Sequence, residues 1–164
     1  MNTGKMDDIF AATPPLEALQ LLLSRAVTEG AGYYRDSNRS IQKKLEFIDI
    51  RRAYFHADAI REVYVDLPEE DAEEGMCAKL VKSMYGTRDA ASNWEKEYTL
   101  WLQSVGFTIG KSSPCLFHHK AKELQLVVHG DDFTLLGETK NLDWFKKAIQ
   151  ERFSVKFRGR IGPD

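Results

Sequence analysis

Two adjacent aspartates, Asp131 and Asp132, are the residues of this sequence most suited to chemistry. They follow Gly130 and lie between two apolar, β-prone runs, residues 124–128 and 133–137. This pattern predicts a β-hairpin with the glycine at its tip. Two neighbouring carboxylates repel each other, and a hard divalent cation such as Mg²⁺ would suit both because it prefers carboxylate oxygens. The alternative is a solvated turn, in which aspartate is common and has no chemical role.

A third carboxylate, Asp49, lies far from the other two in the sequence. The apolar side chains of residues 43–50 predict a strand that is buried on both faces. An unpaired carboxylate inside such a strand is costly. An ion pair with Arg51 or Arg52 would neutralise Asp49 without giving it any chemical role.

The composition is that of one ordinary soluble domain. The chain has 164 residues, of which 43% are hydrophobic and 29% charged, with a net charge of −2 and a mean hydropathy of −0.43. These values do not indicate a nucleic-acid binder, although a basic face can still exist locally. Cys77 and Cys115 have no nearby cysteine partner, which predicts reduced core thiols in an intracellular protein. The histidines lack zinc-site spacing, and no apolar run approaches the length of a membrane span or a signal peptide.

The order of predicted elements indicates the fold class. Helices are predicted from Thr13, as the cap before Pro14 and Pro15, to about Gly30, then at 89–104 and 141–152. Strands are predicted at 43–50, 62–68, 114–118 and 153–158, besides the hairpin. Strand, helix, hairpin, helix and strand in this order predict an α+β fold. We expect an antiparallel sheet with helices mainly on one face, of the split βαβ, ferredoxin-like kind. Residues 1–12 are expected to be a poorly ordered lead-in, 13–160 one domain and 161–164 a tail.

Five segments, in order along the chain, resemble motifs of the reverse transcriptase of copia-type retrotransposons. Residues 47–55 (FIDIRRAYF) resemble the polymerase motif of an aspartate, three residues, an alanine and an aromatic pair. The other four are 62–68 (EVYVDLP), 82–94 (KSMYGTRDAASNW), 106–117 (beginning GF and ending SPCLF) and 128–132 (VHGDD). Five ordered matches are far more specific than one Asp-Asp pair.

The resemblance implies the palm of an RNA-directed DNA polymerase. Asp49, Asp131 and Asp132 would be its catalytic residues and would hold two Mg²⁺ ions, with Mn²⁺ as a substitute. Two such ions activate the primer hydroxyl and stabilise both oxygens of the displacement. The nucleotide-binding residues implied by the resemblance are Ile50, Arg51, Arg52, Ala53, Tyr54 and Arg88. The Tyr54 ring would exclude a ribose 2′-hydroxyl.

The implied partners are an RNA or DNA template with its primer, deoxynucleoside triphosphates and the remainder of a Pol polyprotein, with no membrane. The location would be intracellular, in the cytoplasm, a virus-like particle or the nucleus. The sequence departs from the family pattern at His129, Asp89 and Ala91. The matching region has truncated fingers and no thumb, which predicts little polymerisation by this chain alone.

Two alternatives remain. One is an inert retrotransposon remnant, or a nucleic-acid-binding module, that retains the palm fold without turnover. The other is a different palm-shaped enzyme such as a nucleotidyl cyclase, which would be expected to carry a glycine-rich acidic signature in place of residues 85–94.

Overall fold

The computed structural model describes residues 11–34 and 42–162. The chain divides into two compact units. The sheet unit contains Ala12–Arg51 and Leu100–Asp164, and the inserted unit contains Arg52–Thr99. Of the predicted lead-in, residues 1–12, only Ala11 and Ala12 are among the described residues, and the last two residues of the predicted tail lie outside them.

The described residues form three α-helices and eight strands. The helices are α1 (Leu16–Ala26), α2 (Ala90–Ser104) and α3 (Thr139–Arg152). The strands are β1 (Lys43–Ile50), β2 (Tyr64–Val65), β3 (Ala78–Lys79), β4 (Thr108–Ile109), β5 (Leu116–His119), β6 (Leu124–His129), β7 (Asp132–Glu138) and β8 (Val155–Ile161). The predicted α+β class is confirmed.

One six-stranded antiparallel sheet forms the sheet unit. Its strand order is β4-β5-β6-β7-β1-β8. β7 lies between β1 and β6 and runs antiparallel to both. Because β1 and β6 are parallel to each other but separated by β7, the central strands have the split arrangement predicted from the sequence.

The first face of the sheet packs against α1. Side chains alternate between the two faces along a strand, and directly opposed residues share a face. Leu45 and Leu136 are opposed in the β1–β7 pair, and they form an apolar cluster with Val127 and with Ala18 and Leu22 of α1. α1 therefore covers part of the face to which Leu45 belongs.

The second face of the sheet packs against α3. Glu46 of β1 accepts a hydrogen bond from Arg160 Nε at 2.5 Å, and Arg160 Nη2 also donates to Asp143 of α3 at 2.8 Å. Trp101, near the end of α2, lies against Phe145 of α3 with ring centroids 5.7 Å apart. The prediction of helices mainly on one face therefore holds for α3 and the end of α2, whereas α1 lies on the other face.

The β6–β7 hairpin turns through Gly130 and Asp131. Gly130 has φ +63°, in the left-handed region that glycine adopts without steric cost. A two-residue loop of this kind matches the right-handed twist of the flanking strands. The predicted hairpin and its glycine tip are confirmed.

In the inserted unit, β2 pairs only with β3, in a two-stranded sheet. The strand predicted over 62–68 is therefore limited to Tyr64–Val65. Pro68, at the end of the predicted strand, has no N–H to donate to a ladder. The acidic residues 69–74 are exposed, as predicted.

Two other local predictions are wrong. α1 begins at Leu16 with Pro15 as its N-cap, so Thr13 is not the cap. Pro15 sets the helix start because its fixed φ suits the first turn and its carbonyl accepts from Ala18 N at 2.9 Å. Cys77 is exposed rather than in the core, whereas Cys115 is buried as predicted.

Candidate active site

The strand register brings Asp49 and Asp132 together. They are directly opposed in the β1–β7 pair, so their side chains leave the same face of the sheet. Asp131 is the second residue of the hairpin turn, and its carbonyl accepts a hydrogen bond from Ile50 N at 2.9 Å. This bond fixes the hairpin tip to the end of β1. All three predicted aspartates thus lie at one end of the β1–β7 pair, although Asp49 is distant in the sequence.

A cation that sequence reasoning missed also lies at this end of the sheet. Arg158 Nη2 of β8 donates to Asp49 Oδ2 at 2.7 Å. The Asp49 side chain is mostly buried, at 18% exposure, and that of Arg158 is half exposed, at 51%. Hydrogen bonding to Asp49 raises the pKa of the Arg158 guanidinium, so the arginine remains charged.

Burial and the neighbouring charged residues change the pKa of Asp132. Burial raises the pKa of the Asp132 carboxyl, and the charges of Asp131 and Asp49 raise it further. Arg158 and His129 lower the pKa of Asp132. His129 is opposed to Asp132 in the β6–β7 pair, which explains why a histidine lies so close. The cluster therefore favours the binding of positive charge.

A groove adjoins the cluster on the same side of the sheet. Its volume is about 520 Å³, and it is lined by the start of α1, by the sheet floor and, at its polar end, by His129, Asp132 and Arg158. Its floor includes Phe47, and Leu16 and Leu19 are in its α1 wall. Asp132 is thus accessible from a mostly apolar cleft.

The donor atoms of the three aspartates are of the type that a divalent cation binds, but their present arrangement does not form a metal site of three or more ligands. Carboxylate oxygens are the ligands that Mg²⁺ prefers. Within residues 11–34 and 42–162, however, no group of three or more His, Cys, Asp or Glu side chains is arranged to hold a metal ion. One oxygen of Asp49 is bonded to Arg158 instead. A metal that used this oxygen of Asp49 would have to displace Arg158.

The predicted nucleotide-binding residues are divided between the sheet unit and the inserted unit. Ile50 and Arg51 end β1 in the sheet unit, where Ile50 is buried and Arg51 N donates to Ser154 O at 2.8 Å. Arg52, Ala53, Tyr54 and Arg88 belong to the inserted unit. There Arg52 has φ +53° and precedes a short 3-10 helix, Ala53–His56. Arg52 and Arg88 are exposed, whereas Ala53 is buried.

The ring of Tyr54 is held within the inserted unit by aromatic packing. Its centroid lies 4.4 Å from that of Tyr85, and the Phe55 and Tyr85 rings pack in a T-shaped arrangement with centroids 5.9 Å apart. Tyr85 belongs to the segment 82–94 that carries a family motif, so two of the resembling segments meet through these rings.

The sequence alone indicates on which face of its strand Arg158 lies, but not which residue it contacts. Lys156 and Arg158 alternate with Val155 and Phe157, which indicates that the two cations share one face of a half-exposed strand. Nothing in that local pattern says which strand β8 pairs with. The pairing with β1, and hence the contact with Asp49, comes from the tertiary structure.

The α+β fold is compatible with the family that the comparison against protein families identifies. The model of the family described as reverse transcriptase (RNA-dependent DNA polymerase) matches residues 2–162. The chain belongs to this family.

Its relatives include Pol polyproteins of transposons. The chain is 26% identical over 160 residues to the retrovirus-related Pol polyprotein from transposon TNT 1-94 of Nicotiana tabacum, covering 93% of this chain and 11% of the relative. It is 29% identical over 116 residues to that from transposon RE2 of Arabidopsis thaliana, covering 66% and 8%. It is 29% identical over 115 residues to the transposon Ty1-DR4 Gag-Pol polyprotein of Saccharomyces cerevisiae, covering 70% and 7%. The chain thus corresponds to a reverse transcriptase region of a copia-type Pol polyprotein and spans about a tenth or less of these relatives' length.

The described part of the chain also bears on the membrane prediction. None of the helices in residues 11–34 and 42–162 has both the length and the apolar character needed to cross a bilayer.

Proposed function

We propose that this chain contributes the catalytic carboxylates of a copia-type reverse transcriptase that copies an RNA template into DNA. The observation that carries the proposal is the register of the sheet, which opposes Asp49 to Asp132 and bonds the Asp131 carbonyl to β1. Nucleotidyl transfer needs carboxylates from separate elements converging on one place. The proposed partners are primer and template, deoxynucleoside triphosphates and the remainder of the Pol polyprotein.

In this proposal Asp49, Asp131 and Asp132 would hold Mg²⁺ or Mn²⁺. When bound, such ions would activate the primer hydroxyl and stabilise the leaving pyrophosphate. The protein's own contribution is to hold the carboxylates at strand ends, where β pairing fixes their backbones. A rigid sheet suits this role because a small misplacement of reacting groups costs much of the rate.

The nucleotide-binding roles proposed for the inserted unit follow the family motif. Tyr54 would discriminate against ribonucleotides through its ring, which packs against Tyr85. Ile50, Arg51, Arg52 and Ala53 would supply backbone near the triphosphate, and Arg88 would supply a positive charge.

A second candidate function is binding without turnover. The ion pair between Arg158 and Asp49 favours it, because this pair neutralises a carboxylate of the cluster with the protein's own side chain. A nucleic-acid-binding module that retained the fold would need no metal at these aspartates.

Primer extension separates the two candidates. The chain is placed within a copia-type Pol polyprotein in place of the corresponding segment and assayed on an RNA template at low salt, where phosphate contacts are strongest. We expect Mg²⁺-dependent extension that is abolished by Asp49→Asn or Asp131→Asn. Asp71→Asn, which changes the same charge in the exposed acidic loop, is the matched control and should retain activity. Template binding without extension would favour the second candidate.

A further inference from the structure

The site contains its own counter-ion, and its position suggests how the site is controlled. We propose that Arg158 occupies the acidic cluster in place of a divalent cation and must leave Asp49 before the metal binds. The inference rests on the proposed function, since it assumes that these carboxylates receive a metal. It goes further by assigning Arg158 as a displaceable internal competitor.

Arg158 reaches Asp49 through an irregularity in the sheet. Along β1, Ile48 pairs with Phe157, but the preceding Phe47 pairs with Gly159, so Arg158 is the extra residue of a β-bulge. A bulge redirects a side chain and increases the local twist. Gly159 has φ +146°, a conformation that L side chains rarely adopt. The guanidinium of Arg158 thus reaches Asp49 from a residue that has no directly opposed partner in the ladder.

Arg160 provides a contrast on the same strand. It bonds to both Glu46 and Asp143 and is mostly enclosed, at 22% side-chain exposure. Arg158, at 51%, has one hydrogen bond among those the structure gives in the described residues, the bond to Asp49. Arg160 therefore has the character of a fixed structural cation, whereas Arg158 is held by an accessible ion pair.

The energetics allow Arg158 to be displaced. An ion pair with one solvent-exposed member is weak because water screens it and the long side chain loses freedom in forming it. A divalent ion carries twice the charge and can interact with more than one carboxylate at once. The bonded Arg158 thus lowers metal affinity in two ways, by occupying an Asp49 oxygen and by repelling the incoming cation.

The experiment titrates Mn²⁺ into the full chain at fixed low ionic strength and follows the free hexaaqua ion by electron paramagnetic resonance. Arg158→Gln should bind Mn²⁺ about five- to tenfold more tightly than wild type, from the removal of a nearby charge and of a competing hydrogen bond. Lys156→Gln is the matched control, because Lys156 is opposed to Asp49, is exposed and carries the same charge. That variant should change the affinity by about twofold or less.

A second measurement uses the wild-type chain and does not depend on how a variant folds. Mg²⁺ is titrated while the side-chain Nε–H signal of Arg158 is followed by nuclear magnetic resonance. Displacement predicts that this signal shifts and exchanges faster with solvent as Mg²⁺ saturates, whereas the Arg160 signal stays constant.

The outcomes are distinguishable. Equal Mn²⁺ affinities of wild type and Arg158→Gln would overturn the role of Arg158 but leave the metal site intact. A gain in Mn²⁺ affinity for Lys156→Gln as large as that for Arg158→Gln would have the same consequence. An unchanged Arg158 signal at saturating Mg²⁺ would also overturn it. If no variant binds Mn²⁺ in a manner sensitive to Asp131→Asn, the metal site itself fails, and the present inference fails with it.

Discussion

Replacing Arg160 by methionine tests how the sheet that carries the site is held to α3. In the wild type, the Glu46 side chain is 4% exposed and bonds to Arg160, which also bonds to Asp143. Arg160→Met keeps an unbranched apolar stem but lacks the guanidinium, so it leaves the Glu46 carboxylate buried without this cation. Breaking a buried pair by removing one partner costs about 3–5 kcal/mol.

The expected loss here is smaller, because Arg160 is 22% exposed and water reaches part of the pair. We expect the free energy of unfolding to fall by about 2–3 kcal/mol, with a melting temperature lower by about 5–10 °C. Urea and thermal unfolding at pH 7, followed by circular dichroism, measure the free energy of unfolding and the melting temperature.

Two further variants complete this test. Lys156→Met removes an exposed cation from the same strand and should change stability by no more than about 0.5 kcal/mol. Combining Glu46→Leu with Arg160→Met should recover most of the loss, because an apolar pair leaves no charge without a partner. A loss for Arg160→Met no larger than that for Lys156→Met, or no recovery in the double variant, would refute the reasoning.

Three other predictions concern the site and the core. Burial and the neighbouring Asp131 and Asp49 raise the pKa of Asp132, so its ionisation opposes folding: native stability falls as pH rises from its unfolded pKa through its higher folded pKa. Because Asp132 is exposed and water screens these interactions, Asp132→Asn should raise the free energy of unfolding at pH 7 by only about 0.2–1 kcal/mol. The gain should vanish below about pH 4, and a gain equal at both pH values would contradict this. Millimolar Mg²⁺ should raise the melting temperature of wild type by mass action, and less so that of Asp131→Asn; equal shifts would contradict a metal site there. Gly137→Ala would place a methyl group against the fully buried Leu124, which should cost about 1–3 kcal/mol, and an unchanged urea midpoint would show that the core can yield.

The elements with a strong local pattern were predictable from the sequence alone. Alternation and apolar runs located β1 and the β6–β7 hairpin, and the glycine before Asp131 marked the turn. Helical spacing located α2 and α3 within two residues of their observed starts. These features depend on neighbours within a few residues, so the chain encodes them wherever it lies in the fold. The family motifs are of the same kind, since each is a short ordered string.

The features that involve distant residues were decided by the tertiary structure. Strand order decides whether Asp49 is opposed to Asp132 and on which face α1 packs. The periodicity of the sequence carries no information about strand order. The sequence drew attention to Arg51 and Arg52 as partners for Asp49, yet the structure pairs it with Arg158, which is 109 residues away. That contact exists because β8 pairs with β1 and a bulge adds one residue to β8, and both arise from long-range packing that no local pattern records.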